Sequence, residues 1–106
     1  MNPELYREAA EQGDASAQYN LAICYQNGIG VEADELKAIE LYKKAAEQGF
    51  DMAQYNLALM YENGEGVVKD YDKAIHWYKL SAGQGYRAAQ NKLPKRKMRV
   101  LSRIWA

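Results

Sequence analysis

Few residues in this chain could carry out chemistry. His76 is the only histidine and Cys24 the only cysteine. A nucleophilic Cys–His pair needs a third group to orient the base. A structural zinc site needs about four ligands at suitable spacing. Neither set surrounds these two residues, so the sequence points away from nucleophilic and metal chemistry and implies no cofactor. Two Gly-x-Gly stretches, Gly28 to Gly30 and Gly64 to Gly66, lack the third glycine of a dinucleotide loop and the lysine of a P-loop. They read as a helix stop followed by a tight turn. Acid pairs such as Glu32/Asp34 and Asp70/Asp72 fall where helices are expected to begin, a place that favours acids. Nothing marks a pocket in which they would work as acid and base. The expectation is that the chain is not an enzyme.

The elements that would position any site come from an internal repeat. When Ala9–Lys43 is written above Ala45–Lys79, 22 of the 35 positions are identical, a period of 36 residues. Ala-Ala-Glu-Gln-Gly recurs at 9–13 and 45–49, and Ala-Gln-Tyr-Asn-Leu-Ala at 17–22 and 53–58. Asn27-Gly28-x-Gly30-Val31 matches Asn63-Gly64-x-Gly66-Val67. Glu4-Leu5-Tyr6 matches Glu40-Leu41-Tyr42, and the pattern continues through Leu93 before it breaks at Pro94. The organisation predicted is a partial repeat over 3–8, full repeats over 9–44 and 45–80, a partial repeat over 81–93, and a separate tail over 94–106.

Each repeat reads as two helices. Ala17, Leu21, Cys24 and Tyr25 form a buried stripe at helical spacing, in which Cys24 is a small apolar residue equivalent to Met60. Gly28 ends that helix, since glycine takes the left-handed conformation at no steric cost. Asp34 is the N-cap of the next helix, with Glu35 favourable in its first turn. There His76 replaces Glu40 on a solvated face. Asn2 and Pro3 give the same start signal at the N-terminus. The predicted helices are 3–12, 14–27, 34–48, 50–63, 70–84 and 86–93, with no sheet. Ser81-Ala82-Gly83, standing where the other copies have Ala-Ala-Glu, should weaken the fifth helix mildly.

Composition agrees with one small domain. The 106 residues are 48% hydrophobic, enough for a core. No apolar run reaches the 18 or so residues of a membrane span, and Met1–Leu5 has neither part of a signal peptide, so a cytoplasmic location is expected. The formal net charge of zero hides an asymmetry. Seven basic residues and no acid lie from Arg87 onward, whereas the first 85 residues hold seven basic and all fourteen acidic side chains.

A two-helix repeat of this length resembles the α-solenoids of the tetratricopeptide kind, and its details are similar to the Sel-1-like repeats. The matching residues are Ala53, Leu57, Ala58 and Tyr61, then Gly64, Gly66 and Val67, then Asp70, Ala74, Trp77, Tyr78, Ala82 and Gly85. The first repeat fits equally well, with Leu41 in the tryptophan place. The resemblance implies an all-α solenoid of antiparallel helix pairs in a right-handed superhelix. It also implies a bacterial adaptor or scaffold that works by protein–protein interaction.

In such solenoids the first helices of each pair line the concave surface. The residues opposite the buried stripe are Ser16, Tyr19, Asn20, Ile23 and Asn27, then Met52, Tyr55, Asn56, Leu59 and Asn63, then Ala88, Asn91 and Lys92. Amides can bond an extended peptide, and tyrosine adds rigid amphipathic area. The candidate partner-binding set is Tyr19, Asn20, Ile23, Tyr55, Asn56, Leu59, Asn91 and Lys92. The competing reading of Tyr19 and Tyr55 is that they pack against the neighbouring repeat.

The tail carries Lys95, Arg96, Lys97, Arg99 and Arg103, with Met98, Leu101 and Trp105 at helical spacing. Three readings stay open. It caps the last repeat; it binds an anionic partner such as an acidic protein, a membrane surface or a nucleic acid; or it is an accidental end to the pattern. At the other end Leu5 and Tyr6 lack the neighbours that Leu41 and Tyr42 have on both sides, which predicts a homodimer through the N-terminal helix.

Overall fold

A computed structural model of the chain describes residues 1–93. The tail residues Lys95, Arg96, Lys97, Arg99 and Arg103 lie outside the described residues, and so do the capping and anion-binding readings. Six α-helices follow one another: α1 (Pro3–Glu11), α2 (Ala15–Asn27), α3 (Glu35–Glu47), α4 (Asp51–Asn63), α5 (Tyr71–Gly83) and α6 (Arg87–Lys92). Every boundary lies within one residue of that predicted, and no strand occurs among the described residues.

The helix starts are set by side chains that satisfy free backbone N–H groups. Asn2 accepts from the Glu4 amide at 3.0 Å, and Pro3 follows it at the first helical position. Asp34 accepts from Leu36 and Lys37, and Asp70 from Lys73. Asp14 caps α2 through the Ala17 amide at 2.9 Å. Its equivalents Phe50 and Tyr86 make no such bond. The long stops fall at Gly28 and Gly64, both at φ 69°.

Short connections make consecutive helices antiparallel, and each packs on the one before and the one after. The core is a row of alanines that admits close approach, with larger groups between. Ala22, Ala38, Ala45, Ala53 and Ala58 are wholly buried, as are Cys24, Tyr42, Leu57 and Met60. Burying a Leu or Met side chain stabilises by about 1.5–3 kcal/mol. Gly66 shows how tightly the units abut. A Cβ there would stand 3.0 Å from the Glu35 carbonyl oxygen, so the loop after α4 lies directly on the start of α3. The fifth helix runs unbroken through Ser81 and Gly83. Ser81 is buried and donates to the Asp51 carbonyl at 2.9 Å, so it ties α5 to the start of α4.

Candidate functional site

The candidate strip is built at the joints between repeats. Tyr19 on α2 lies 6.0 Å, ring centre to ring centre, from Tyr42 on α3 and 5.2 Å from Phe50 at the start of α4. One period later Tyr55 lies 5.7 Å from Tyr78 and 5.2 Å from Tyr86. The two aromatic triads are related by the 36-residue repeat, which places α2, α4 and the start of α6 along one continuous face. Both tyrosines therefore pack against the next unit while remaining half-buried. Asn20, Ile23, Asn56 and Leu59 are also half-buried, whereas Asn91 and Lys92 are exposed. Burial raises the Tyr19 phenol above its ordinary value.

Not all candidates are equally free. The Asn56 amide donates to the Tyr42 hydroxyl at 3.3 Å, and that hydroxyl donates to Gln26 Oε1 at 2.7 Å. Advancing every member by 36 residues gives Lys92, Tyr78 and Glu62. Here Tyr78 donates to Glu62 Oε2 at 2.9 Å, and Lys92 Nζ stands 3.0 Å from the same carboxylate. The second joint has therefore exchanged an amide triad for a charged one. Burial opposes ionisation of Glu62, but the bonds from Lys92 and Tyr78 and the charges of Lys92 and Lys69 outweigh it and lower its pKa. Burial, reinforced by Glu62, pushes the Tyr78 phenol up. Asn56 and Lys92 thus hold repeats together as well as facing the strip. Among the described residues Asn20 makes no side-chain hydrogen bond.

A second polar system was missed by sequence reasoning. Gln18 is buried on α2; its amide donates to the Ala10 carbonyl at 3.2 Å and its oxygen accepts from Gln48 at 2.8 Å. Gln54 repeats this with Ala46 at 3.1 Å and Gln84 at 2.8 Å, and Gln90 with Ala82 at 3.1 Å. Each of these glutamines satisfies a carbonyl at the end of one second helix, and the first two also reach the next. The signal was present: glutamine keeps its place in every copy, next to the buried alanine, where a polar group must find partners.

The chemistry-bearing residues stay apart. His76 is exposed on α5, its ring against Trp77, while Cys24 is buried on α2. Burial raises the Cys24 thiol, against a smaller opposite effect of the N-terminal amine, and a nucleophile needs the reverse. Among the described residues no group of three His, Cys, Asp or Glu could hold a metal ion, and no helix is long and apolar enough to cross a membrane. A shallow cavity of about 220 Å³ lies between α1 and α3, lined by Leu21, Tyr25, Leu41, Arg7, Lys37 and Glu40 among others. It is on the side of the second helices, away from the strip.

Comparison with known proteins matches the repeat. The family described as Sel1 repeat covers residues 4–14, 15–50 and 51–86. A Sel1 repeat protein from Oxalobacter formigenes is similar at 43% identity and a TM-score of 0.82, over 83% of this chain and 66% of that one. A protective antigen of uropathogenic Escherichia coli strains, displaying an SLR fold, is 42% identical with a TM-score of 0.81; the match takes in 85% of this chain but 19% of the antigen. Helicobacter pylori cysteine rich protein B is 25% identical with a TM-score of 0.82, over 86% of this chain and 68% of that one. This chain, with one cysteine, shares the fold without the cysteines. No curated protein matches.

Proposed function

The chain belongs to the Sel1 repeat family, and from that membership and the geometry above we propose that it is an adaptor module binding an extended peptide segment of a partner protein. Sel1 repeat proteins are in general interaction scaffolds rather than catalysts. The surface assigned to the peptide is the strip of Tyr19, Asn20, Ile23, Tyr55, Asn56 and Leu59, with Asn91 and Lys92 at its end. The observation that carries this reading is the pair of half-open aromatic triads, Tyr19 with Tyr42 and Phe50 and Tyr55 with Tyr78 and Tyr86, repeated in register with Asn20, Ile23, Asn56 and Leu59 half-buried beside them. Amides spaced along two antiparallel-flanked helices offer donors and acceptors to a peptide backbone, and the aromatic rings give it rigid apolar contact.

The test is selection of peptides from a random library on the full chain, followed by substitution. Asn20→Ala and Ile23→Asp each weaken the selected peptides about tenfold or more, some 1.4 kcal/mol. Glu40→Gln on the opposite side leaves them unchanged. Peptides that respond to Glu40 and ignore Asn20 and Ile23 overturn the assignment. Asn56 is unsuitable for this purpose because its loss also frees Tyr42.

A second association is favoured by one number: Leu5 is 72% exposed, whereas its equivalent Leu41 is half-buried. We propose a homodimer through α1 that covers this residue.

A further inference from the structure

The cavity between α1 and α3 has an apolar floor and two ends of different charge. The floor is Ala10 and Leu21, both buried, with Leu41 on the α3 wall. At one end lies Tyr25, and a cation approaches it from each wall. Arg7 Nη1, from α1, donates to the Tyr25 hydroxyl at 3.3 Å, and Lys37 Nζ, from α3, stands 5.2 Å from the centre of the same ring. Arg7 Nη2 is held by Glu4 at 3.0 Å, which fixes the guanidinium in place. The Tyr25 hydroxyl accepts from Arg7 and, among the described residues, donates its own proton to no group. Among the same residues Lys37 and Lys44 form no ion pair. Three donors, two of them charged, thus gather at the Tyr25 end. About one turn further along the walls come Glu11 and Glu40, and then Lys44.

The next repeat shows what this cavity is missing. Advanced by 36 residues, Arg7, Tyr25, Lys37 and Leu41 become Lys43, Tyr61, Lys73 and Trp77. Lys73 Nζ stands 5.4 Å from the Tyr61 ring centre, as Lys37 does over Tyr25. The change is at the wall. Trp77 packs half-buried against the core, so an indole stands in the groove between α3 and α5 where the groove between α1 and α3 has only an isobutyl group. The volume left open in the first groove is about 220 Å³. An apolar cavity of about 150 Å³ takes a benzene ring, so this one has room for a ring and a small polar group. The charges choose that group. A carboxylate accepts charge-assisted bonds from Arg7 and Lys37 and takes the spare Tyr25 proton. Glu11 and Glu40 at the far end repel a second negative charge, which disfavours polyphosphates and nucleic-acid backbones.

We propose that the α1–α3 cavity binds an aromatic monocarboxylate. Its ring lies on Leu21 and Leu41, in the place that Trp77 fills one repeat later, and its carboxylate lies between Arg7, Lys37 and the Tyr25 hydroxyl. The site is separate from the strip assigned to the peptide. Its ligand chemistry is met in free small molecules and in the last residue of a peptide alike.

The test is titration of the full, isotope-labelled chain with benzoate, phenylacetate and indole-3-acetate, followed by amide chemical shifts. Saturable shifts centre on Arg7, Leu21, Tyr25 and Leu41, with dissociation constants on the order of a millimolar for ligands of this size. Benzamide and benzylamine keep the ring, lose the negative charge and bind about tenfold more weakly or not at all. Leu41→Trp abolishes binding, and Trp77 shows that the repeat accommodates tryptophan at this place. Where that variant loses helix by circular dichroism, Lys37→Gln at an exposed position decides, weakening indole-3-acetate about fivefold. The tripeptide Gly-Gly-Phe separates the two sources: tighter binding than phenylacetate names a chain end, weaker binding a free molecule. Three results overturn the proposal: no saturable shift with any of the carboxylates, benzamide binding as tightly as benzoate, or binding indifferent to the deciding substitution.

Discussion

Removal of the Gln54 side chain tests whether buried amides hold the repeats in line. Gln54 is 4% exposed and bridges two units, donating to the Ala46 carbonyl at 3.1 Å and accepting from Gln84 at 2.8 Å. The partners are not wholly orphaned in Gln54→Ala. Ala46 still accepts from the Gly49 amide, and Gln84 still donates to the Gly49 carbonyl. The loss is therefore two net hydrogen bonds at about 1 kcal/mol each and one buried methylene at about 0.8 kcal/mol. A total of about 2–3 kcal/mol corresponds to a fall in melting temperature of roughly 10–20 °C for a domain of this size. Gln90→Ala is the control: its residue is exposed and makes one bond, to Ala82, so it costs under about 1 kcal/mol. Urea and thermal unfolding followed by circular dichroism give both numbers. Equal costs for the two substitutions would refute the reasoning, because the second, inter-repeat bond would then contribute nothing.

Other outcomes follow from the same geometry. Gly83→Ala stabilises by about 0.5–1 kcal/mol, since a Cβ there meets nothing and the helix gains propensity, while Gly66→Ala, at φ 70° against Glu35, destabilises by more than about 1 kcal/mol; denaturant midpoints separate them. Leu5→Glu abolishes a dimer that light scattering detects in the parent chain over a concentration series; a monomer throughout ends that reading. Because the Glu62 pKa is lowered on folding, its contribution is present above the ordinary carboxylate value and fades as pH falls through the lowered one. Acid titrations of stability should show that fade in the parent chain and lack it in Glu62→Gln. At neutral pH Glu62→Gln or Lys92→Asn alone costs about 0.5–1 kcal/mol, and the double variant recovers most of it by rebuilding the first joint's triad.

The fold was legible because repetition tests every local signal twice. Asp34 and Asp70, Gly28 and Gly64, and the alanine rows agree on the same helices, so boundaries fell within a residue. The strip was legible only as an angular position. Helical spacing puts Tyr19 and Tyr55 opposite the buried stripe, but it does not by itself reveal that the next unit reaches round to touch them. That contact depends on Phe50 and Tyr86, where the first copy has the capping Asp14, and a lone aromatic at a helix start carries no such message. The glutamine ladder was hidden for the opposite reason. Gln18 and Gln54 look like ordinary surface residues until their neighbours Ala22 and Tyr25, Ala58 and Tyr61, are known to be buried.

Near-identical repeats raise a problem of order, and the joints supply the answer. The identical positions (the alanines, the glutamines, the capping acids) would allow any first helix to sit on any second helix. The polar triads would not. If α6 docked where α4 belongs, Lys92 would face Gln26, and the cation would lose its carboxylate. That wrong pairing leaves a charge with a poorer partner, and the difference in partner discriminates between the joints. The few differences between copies thus specify the sequence of units, while the many identities specify the unit. The strip inherits this order, because Asn56 and Lys92 belong both to the joints and to the face assigned to the peptide.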